Sequence, residues 1–347
     1  MDIMQLLNFA IDNGADEALV SAGSPPILRR EGKLTFAKMD ALTPETTRSV
    51  VFQALSPAQI ERLENERELS FSFTVREGCQ CLGSVYYERG SVSAIFRFAA
   101  QSAALPTKLG LPSLLVDATR AVQGFVVVAA PPGHGKSTAL NALVETINTT
   151  REATVLTLEE RIIYPHADKK SVVHQREVGR DTQSFLSALD AAPDQDPDVL
   201  VIDPLDDPET IRRALAFAGR GHLVIASMRA DYVLEAVENL LGAATGRDAM
   251  SVRRQLAASL LLVAALRLLP RNDEPGRVPA TEILKIDARV SRLIRDADTK
   301  TLERLMNDPD ETGTWTMDSF ILKLHERGLV DDEAARRYLV DPGLLET

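Results

Sequence analysis

The stretch Gly124-Phe-Val-Val-Val-Ala129 and its continuation Ala130-Pro-Pro132-Gly133-His134-Gly135-Lys136-Ser137-Thr138 decide the fold. The first part is a β-branched apolar run, the composition of a strand buried on both faces. The second leaves that strand through two prolines and two glycines, and Ser137 to Asn148 then carries helical character. A strand, a glycine-rich loop and a helix in that order form the context that a G-x-x-x-x-G-K-[ST] phosphate loop requires. Gly133 and Gly135 let the backbone curl so that successive N–H groups face phosphate oxygens. Lys136 is then placed to reach the β- and γ-phosphates, and the Ser137 hydroxyl to ligate Mg2+. Pro132 and His134 complete the loop, and Thr138 opens the helix beside Ser137. Ala130 stands where the pattern has its first glycine, a mild departure at a position that only turns the chain off the strand. The expected ligand is ATP with Mg2+, held by Pro132 to Thr138.

Outward from the loop, the rhythm of strand, loop and helix repeats. Ala153–Leu158, Val199–Ile202 and Leu223–Ser227 are continuous apolar runs, and their alternation with helices predicts a parallel α/β sheet. Beyond Pro279 the chain reads as mostly helical and charged. On the N-terminal side the pattern changes to α+β. Met4–Asn13, Thr43–Gln53 and Pro57–Arg67 have helical spacing; Glu17–Ala22, Ile27–Arg30, Ser70–Val75, Cys81–Tyr87 and Ser91–Phe98 read as strands. The segment from Gln101 to Pro112, with two prolines and a glycine, marks the boundary.

Composition narrows the function classes. With 347 residues the chain has room for about two domains. Its 45% hydrophobic and 26% charged content is that of a globular protein with a sizeable core. A formal net charge of −11 argues against a nucleic-acid binder, which needs clustered Lys and Arg to track phosphates. Cys79 and Cys81 are two apart, too close for good disulfide geometry, and two thiols alone make no zinc site. They read as reduced cysteines of a cytoplasmic protein. The apolar run Leu256–Leu266 falls short of the roughly 20 residues that span a bilayer. The opening MDIMQLLNFA lacks a basic segment and carries Asp2, so no secretory signal is expected. Any membrane contact would pass through a partner.

Several segments together resemble one family, the secretion-type hexameric ATPases of type IV pili, and within it the retraction motors of the PilT and PilU type. They are MDIMQLLNFAIDNGADEALVSAGSPPILRREG at the start, Gln175–Thr182 (QREVGRDT), Asp196-Pro-Asp198, Glu209-Thr-Ile211, Gly221-His-Leu-Val224, Leu293-Ile-Arg295 and a closing helix near Met317–Gly328. The resemblance spans nearly the whole chain. It implies a PAS-like domain over residues 1–102, a linker over 103–112, and a RecA-like domain with C-terminal helices over 113–347. It further implies a ring of six, made of this chain alone or mixed with other pilus motor subunits. Nucleotide would lie between the domains, and an inner-membrane pilus platform protein would be the partner.

The same resemblance exposes departures at the catalytic positions. The family pattern T-x-E-D-P-x-E becomes Thr157-Leu-Glu159-Glu160-Arg161-Ile-Ile163, so the glutamate usually assigned the catalytic role is Ile163. The Gly-Glu that ends the Walker B strand becomes Asp203-Pro204. Asp203 either holds Mg2+ from the strand end or is a solvated loop acid. The histidine box ends in Arg229, which either faces the nucleotide or pairs with a surface acid. Gln80 and Leu82 replace an R-x-R pair, and Asp190 and Asp194 stand where arginines belong. Loss of a general base costs roughly 10²–10⁴-fold, and loss of a charge-stabilising arginine about 10³–10⁵-fold. An intact loop beside these losses predicts a nucleotide-binding subunit with impaired turnover. The alternatives are a working ATPase rebuilt on Glu159, Glu160 and Asp203, and a nucleotide-sensing adaptor. His134 is expected to face solvent or a phosphate, and His222 to be structural.

Overall fold

The computed structural model describes residues 2–30, 33–76, 79–98, 103–274, 276–307 and 313–345. Gln101 and Ser102, with which the sequence boundary begins, lie outside the described residues. The chain divides into two compact units: Met1–Ser102 together with Arg161–Pro165, and Ala103–Glu160 together with His166–Thr347.

The first unit carries α1 (Ile3–Asp12), β1 (Glu17–Val20), β2 (Ile27–Arg30), β3 (Lys33–Phe36), α2 (Pro44–Phe52), α3 (Pro57–Glu66), β4 (Glu68–Arg76), β5 (Cys79–Glu88) and β6 (Ser91–Phe98). Its helices begin where the sequence places caps: Asp2, Thr43 and Ser56 each accept a hydrogen bond from the first turn, and Ser56 and Gln59 close a reciprocal capping box. The strands form one antiparallel sheet in the order β3-β2-β1-β6-β5-β4. Alternation along β5 turns Cys79, Cys81 and Val85 inward, Cys81 and Val85 into the core that holds Phe96 and Leu63. Both cysteines are free and buried.

The second unit carries α4 (Ser113–Ala118), β7 (Gly124–Ala129), α5 (Lys136–Thr150), β8 (Thr154–Glu159), β9 (Val172–Glu177), α6 (Phe185–Gln195), β10 (Val199–Asp203), α7 (Pro208–Ala218), β11 (Leu223–Met228), α8 (Val233–Gly242), α9 (Ala249–Ser259), β12 (Leu260–Pro270), β13 (Arg277–Lys285), α10 (Ala288–Asp296), α11 (Thr299–Met306), α12 (Met317–Glu326) and α13 (Asp332–Tyr338). Its sheet runs β13-β12-β7-β11-β10-β8-β9, parallel throughout except for the β12–β13 hairpin. Every residue of β7, β10 and β11 is buried, which is why these strands read as unbroken apolar runs. α5 packs on one face through Leu140, Leu143 and Ile147, while α7 and α8 pack on the other.

The apolar run Leu256–Leu266 is divided between the end of α9 and the start of β12. Beyond Pro279 the chain is mostly helical, as expected, once β13 has ended at Lys285. Both strands are covered on either side, so they lack the alternation that marks a half-exposed strand.

Candidate functional site

The glycine-rich loop leaves β7 at the C-terminal edge of the parallel sheet, where such folds place their ligands. Gly133 and Gly135 adopt φ of +77° and +89°, left-handed values that favour glycine. Gly135 is the N-cap of α5 and supplies no side chain to its first turn. The leading N–H groups of α5 therefore have no acceptor within the helix and lie at the positive end of its dipole. A Cβ at Gly133 would meet no atom within 4 Å, so the loop's outer rim is open. Lys136 Nζ folds back on the loop, donating to the carbonyl oxygens of Ala130 (2.8 Å) and Pro131 (3.2 Å). Partial burial lowers its pKa, and the nearby Asp203 carboxylate opposes that shift.

His134 has a partner that the motif does not predict. Its Nδ1 accepts the Leu268 N–H of β12 at 3.0 Å, so the half-buried ring also ties the loop to the neighbouring hairpin. Burial, followed by the charges of Arg267 and Arg277, pushes its pKa down, which favours the neutral ring that this acceptor role needs. Arg277 adds a second tie by donating to the Gly133 carbonyl at 3.2 Å. Neither tie was legible in the motif, because its partners are more than a hundred residues away.

Glu159 ends β8 and Asp203 ends β10, paired in register. Both are buried, at 3% and 8% exposure, and with Asn141 and Thr157 they lie together where α5 meets β8 and β10. Asp203 is thus no solvated loop acid. Ser227 Oγ donates to its Oδ1. Glu159 Oε1 accepts from Thr157 Oγ1 at 2.6 Å and Gln175 Nε2 at 2.9 Å. Desolvation outweighs these bonds, and with Asp203 and Glu177 nearby it raises the Glu159 pKa to about 7. Glu160 does not join this pair. Its side chain is exposed, and the residue meets Asp203 only by donating its N–H to that residue's carbonyl.

The remaining departures have local partners. Arg229 Nε lies 3.1 Å from Asp206, a surface ion pair. Asp190 is bridged to Arg213 at 2.8 Å. Gln80 donates to Thr74 Oγ1 at 3.1 Å within the first unit. His222 stacks beside Phe217 and faces that residue's carbonyl at 3.3 Å, a structural placement. Among the described residues, no three His, Cys, Asp or Glu side chains are grouped to hold a metal unaided. A divalent ion at the loop would draw on Ser137, Asp203 and phosphate oxygens together.

A polar stripe on α5 escaped the sequence reading. Asn141, Glu145 and Asn148 are all buried and lie on one face at i, i+4 and i+7. Three polar residues at helical spacing inside an apolar helix were the available signal.

The sequence pattern of the type II/IV secretion system proteins matches residues 111–323. The chain is 30% identical to the type IV pilus retraction ATPase PilT of Pseudomonas aeruginosa, over 97% of each chain. It is 29% identical to the type IV pilus ATPase PilU of the same organism, over 96% of this chain and 88% of the relative. Among solved structures, the pilus retraction motor PilT with bound ADP superposes with a TM-score of 0.91 at 33% identity, covering 100% of this chain and 99% of the other.

Proposed function

Because the chain belongs to the type II/IV secretion system protein family and is similar to the pilus retraction ATPases, we propose that it is an ATP-binding motor subunit with impaired hydrolysis. In this reading it assembles into a ring, alone or with active pilus motor subunits, and modulates or scaffolds retraction through an inner-membrane platform protein. Among the described residues no helix is long and apolar enough to cross a membrane.

Pro132 to Thr138 hold the nucleotide. The open rim at Gly133 and the unmet first-turn N–H groups of α5 fit a phosphate, and Lys136 can exchange its two carbonyl partners for phosphate oxygens. Ser137 and Asp203 would hold Mg2+, and the bound MgATP supplies the triphosphate that an active motor cleaves. Ile163 and Pro204 can neither accept a proton nor orient water. Arg229 is committed to Asp206.

One contrast carries the reading: the loop presents unmet donors to an anion, while Ile163 and Pro204 stand where a working motor needs its acids. Steady-state ATP turnover, with Lys136→Ala as the blank, tests it. The expected rate does not exceed the blank, and Lys136-dependent turnover of about 1 s⁻¹, the low end of ordinary enzymes, would overturn it. The in-register pair of Glu159 and Asp203 favours a second reading, a working ATPase with Glu159 as base, because a base with pKa about 7 is matched to neutral pH. Turnover lost in Glu159→Gln would support that one.

A further inference from the structure

The polar stripe of α5 is an expensive feature. Buried polar groups cost stability unless each is hydrogen-bonded. Here they are bonded, and the partner is the segment between β8 and β9. Asn148 donates from Nδ2 to the Ala167 carbonyl at 2.8 Å and accepts the Lys169 N–H on Oδ1 at 3.1 Å. Glu145 pairs with Lys169 and lies 3.2 Å from His166 Nδ1. The His166 side chain is only 1% exposed, and its Nε2 lies 2.8 Å from Asn141 Oδ1.

The directions of the bonds at Asn141 are fixed by chemistry. The Ser137 carbonyl can only accept, so the Asn141 atom 2.7 Å from it is the amide nitrogen. Asn141 Oδ1 is then an acceptor, and His166 Nε2 must carry a proton to meet it. On its main-chain side, His166 donates its N–H to Gln175 Oε1 at 2.7 Å. That leaves Gln175 Nε2 as the donor to Glu159 Oε1 at 2.9 Å. An unbroken chain of hydrogen bonds thus runs from the Ser137 carbonyl through Asn141, His166 and Gln175 to the Glu159 carboxylate.

We propose that His166 is a positioning residue that couples the phosphate-loop turn at Ser137 to the Glu159 carboxylate. A shift of that turn on ligand binding is passed to Glu159, because no member of the chain can turn without breaking a bond in a buried, mutually polarised network. The inference rests on the nucleotide-site reading above and concerns how that site is wired.

The two ring nitrogens can be separated by substitution. Glutamine places an amide nitrogen near Nε2 and keeps the bond to Asn141; asparagine reaches only the Nδ1 position. Titration calorimetry with MgADP on the full chain compares wild type, Lys136→Ala, His166→Ala, His166→Asn and His166→Gln, with thermal unfolding recorded for each. His166→Ala and His166→Asn are expected to bind about tenfold more weakly, the equivalent of one hydrogen bond, while His166→Gln stays close to wild type. Amide exchange provides a second readout. In wild type, MgADP slows exchange both in the loop and at 157–160; in His166→Ala it slows exchange in the loop alone. The proposal is overturned if the alanine and asparagine variants bind like wild type, if glutamine rescues no better than asparagine, or if protection at 157–160 survives in His166→Ala. If wild type fails to bind, or Lys136→Ala binds equally well, the nucleotide-site reading falls and takes this one with it.

Discussion

Asp203 stands directly across from Glu159 on adjoining parallel strands, and both residues are buried where α5 meets the two strands. Two acids so placed repel when both are ionised, which is one cause of the raised Glu159 pKa. A divalent ion beside them would relieve that repulsion.

Nucleotide affinity should therefore depend on metal through these residues. Ser137→Ala and Asp203→Asn are expected to weaken ATP binding in Mg2+ by about tenfold, the lower end of what disturbing a metal site costs. In EDTA they should bind like wild type. Equal weakening in both buffers would assign these side chains to the nucleotide and not to the metal.

Glu282 on β13 offers a pH test away from the loop. Its carboxylate accepts the Val233 N–H at the start of α8 at 2.8 Å and is helped by the Met317 N–H at the start of α12. Burial dominates these bonds and, with Asp318 nearby and Arg267 opposing, raises its pKa from 4.5 to about 7. The folded state thus holds this proton more tightly than the unfolded chain. The stabilisation is complete below about pH 4.5 and is lost as pH rises through about 7. Glu282→Gln removes the titration. Its stability relative to wild type should improve by up to about 3 kcal/mol between pH 4.5 and 8. A difference that stays constant across that range in denaturant titrations would contradict the assignment.

Gly124, the first residue of β7, has φ of +135°, and a Cβ there would lie 2.5 Å from the Leu261 side chain. Gly124→Ala combines backbone strain with overpacking and should destabilise by about 2–3 kcal/mol. Adding Leu261→Ala relieves the clash but not the strain, so the double variant should lose less stability than the sum of the two single losses while remaining less stable than Leu261→Ala alone. Chemical denaturation of the three variants measures this.

The thiols give a simple check on the first unit. Cys79 and Cys81 are 2% and 1% exposed, and burial raises the pKa of both. A thiol reagent at neutral pH should label neither in the native protein and both after denaturation. Rapid native labelling would mean that β5 is not buried as described.

The sequence announced the parts of this molecule whose physics is local. The apolar runs of β7, β10 and β11 and the glycine-rich loop each carry their reason within a few residues. The hairpin of β12 and β13 was missed because strands covered on both faces have no alternation to read. The anchoring of His134 by Leu268 and the bond from His166 to Asn141 join residues distant in sequence, so no spacing rule could find them. Asp203 was ambiguous for a related reason: only the packing of β8 and β11 beside β10 decides that the strand end is buried.

Chemical quench under single-turnover conditions tests the central claim most directly. Protein in excess is mixed with ATP and Mg2+, and bound nucleotide is identified over time, with Lys136→Ala in parallel. The account predicts that wild type retains the nucleotide as intact ATP while Lys136→Ala retains none. Rapid conversion of the bound ATP to ADP by wild type, or no retention at millimolar ATP, would contradict it.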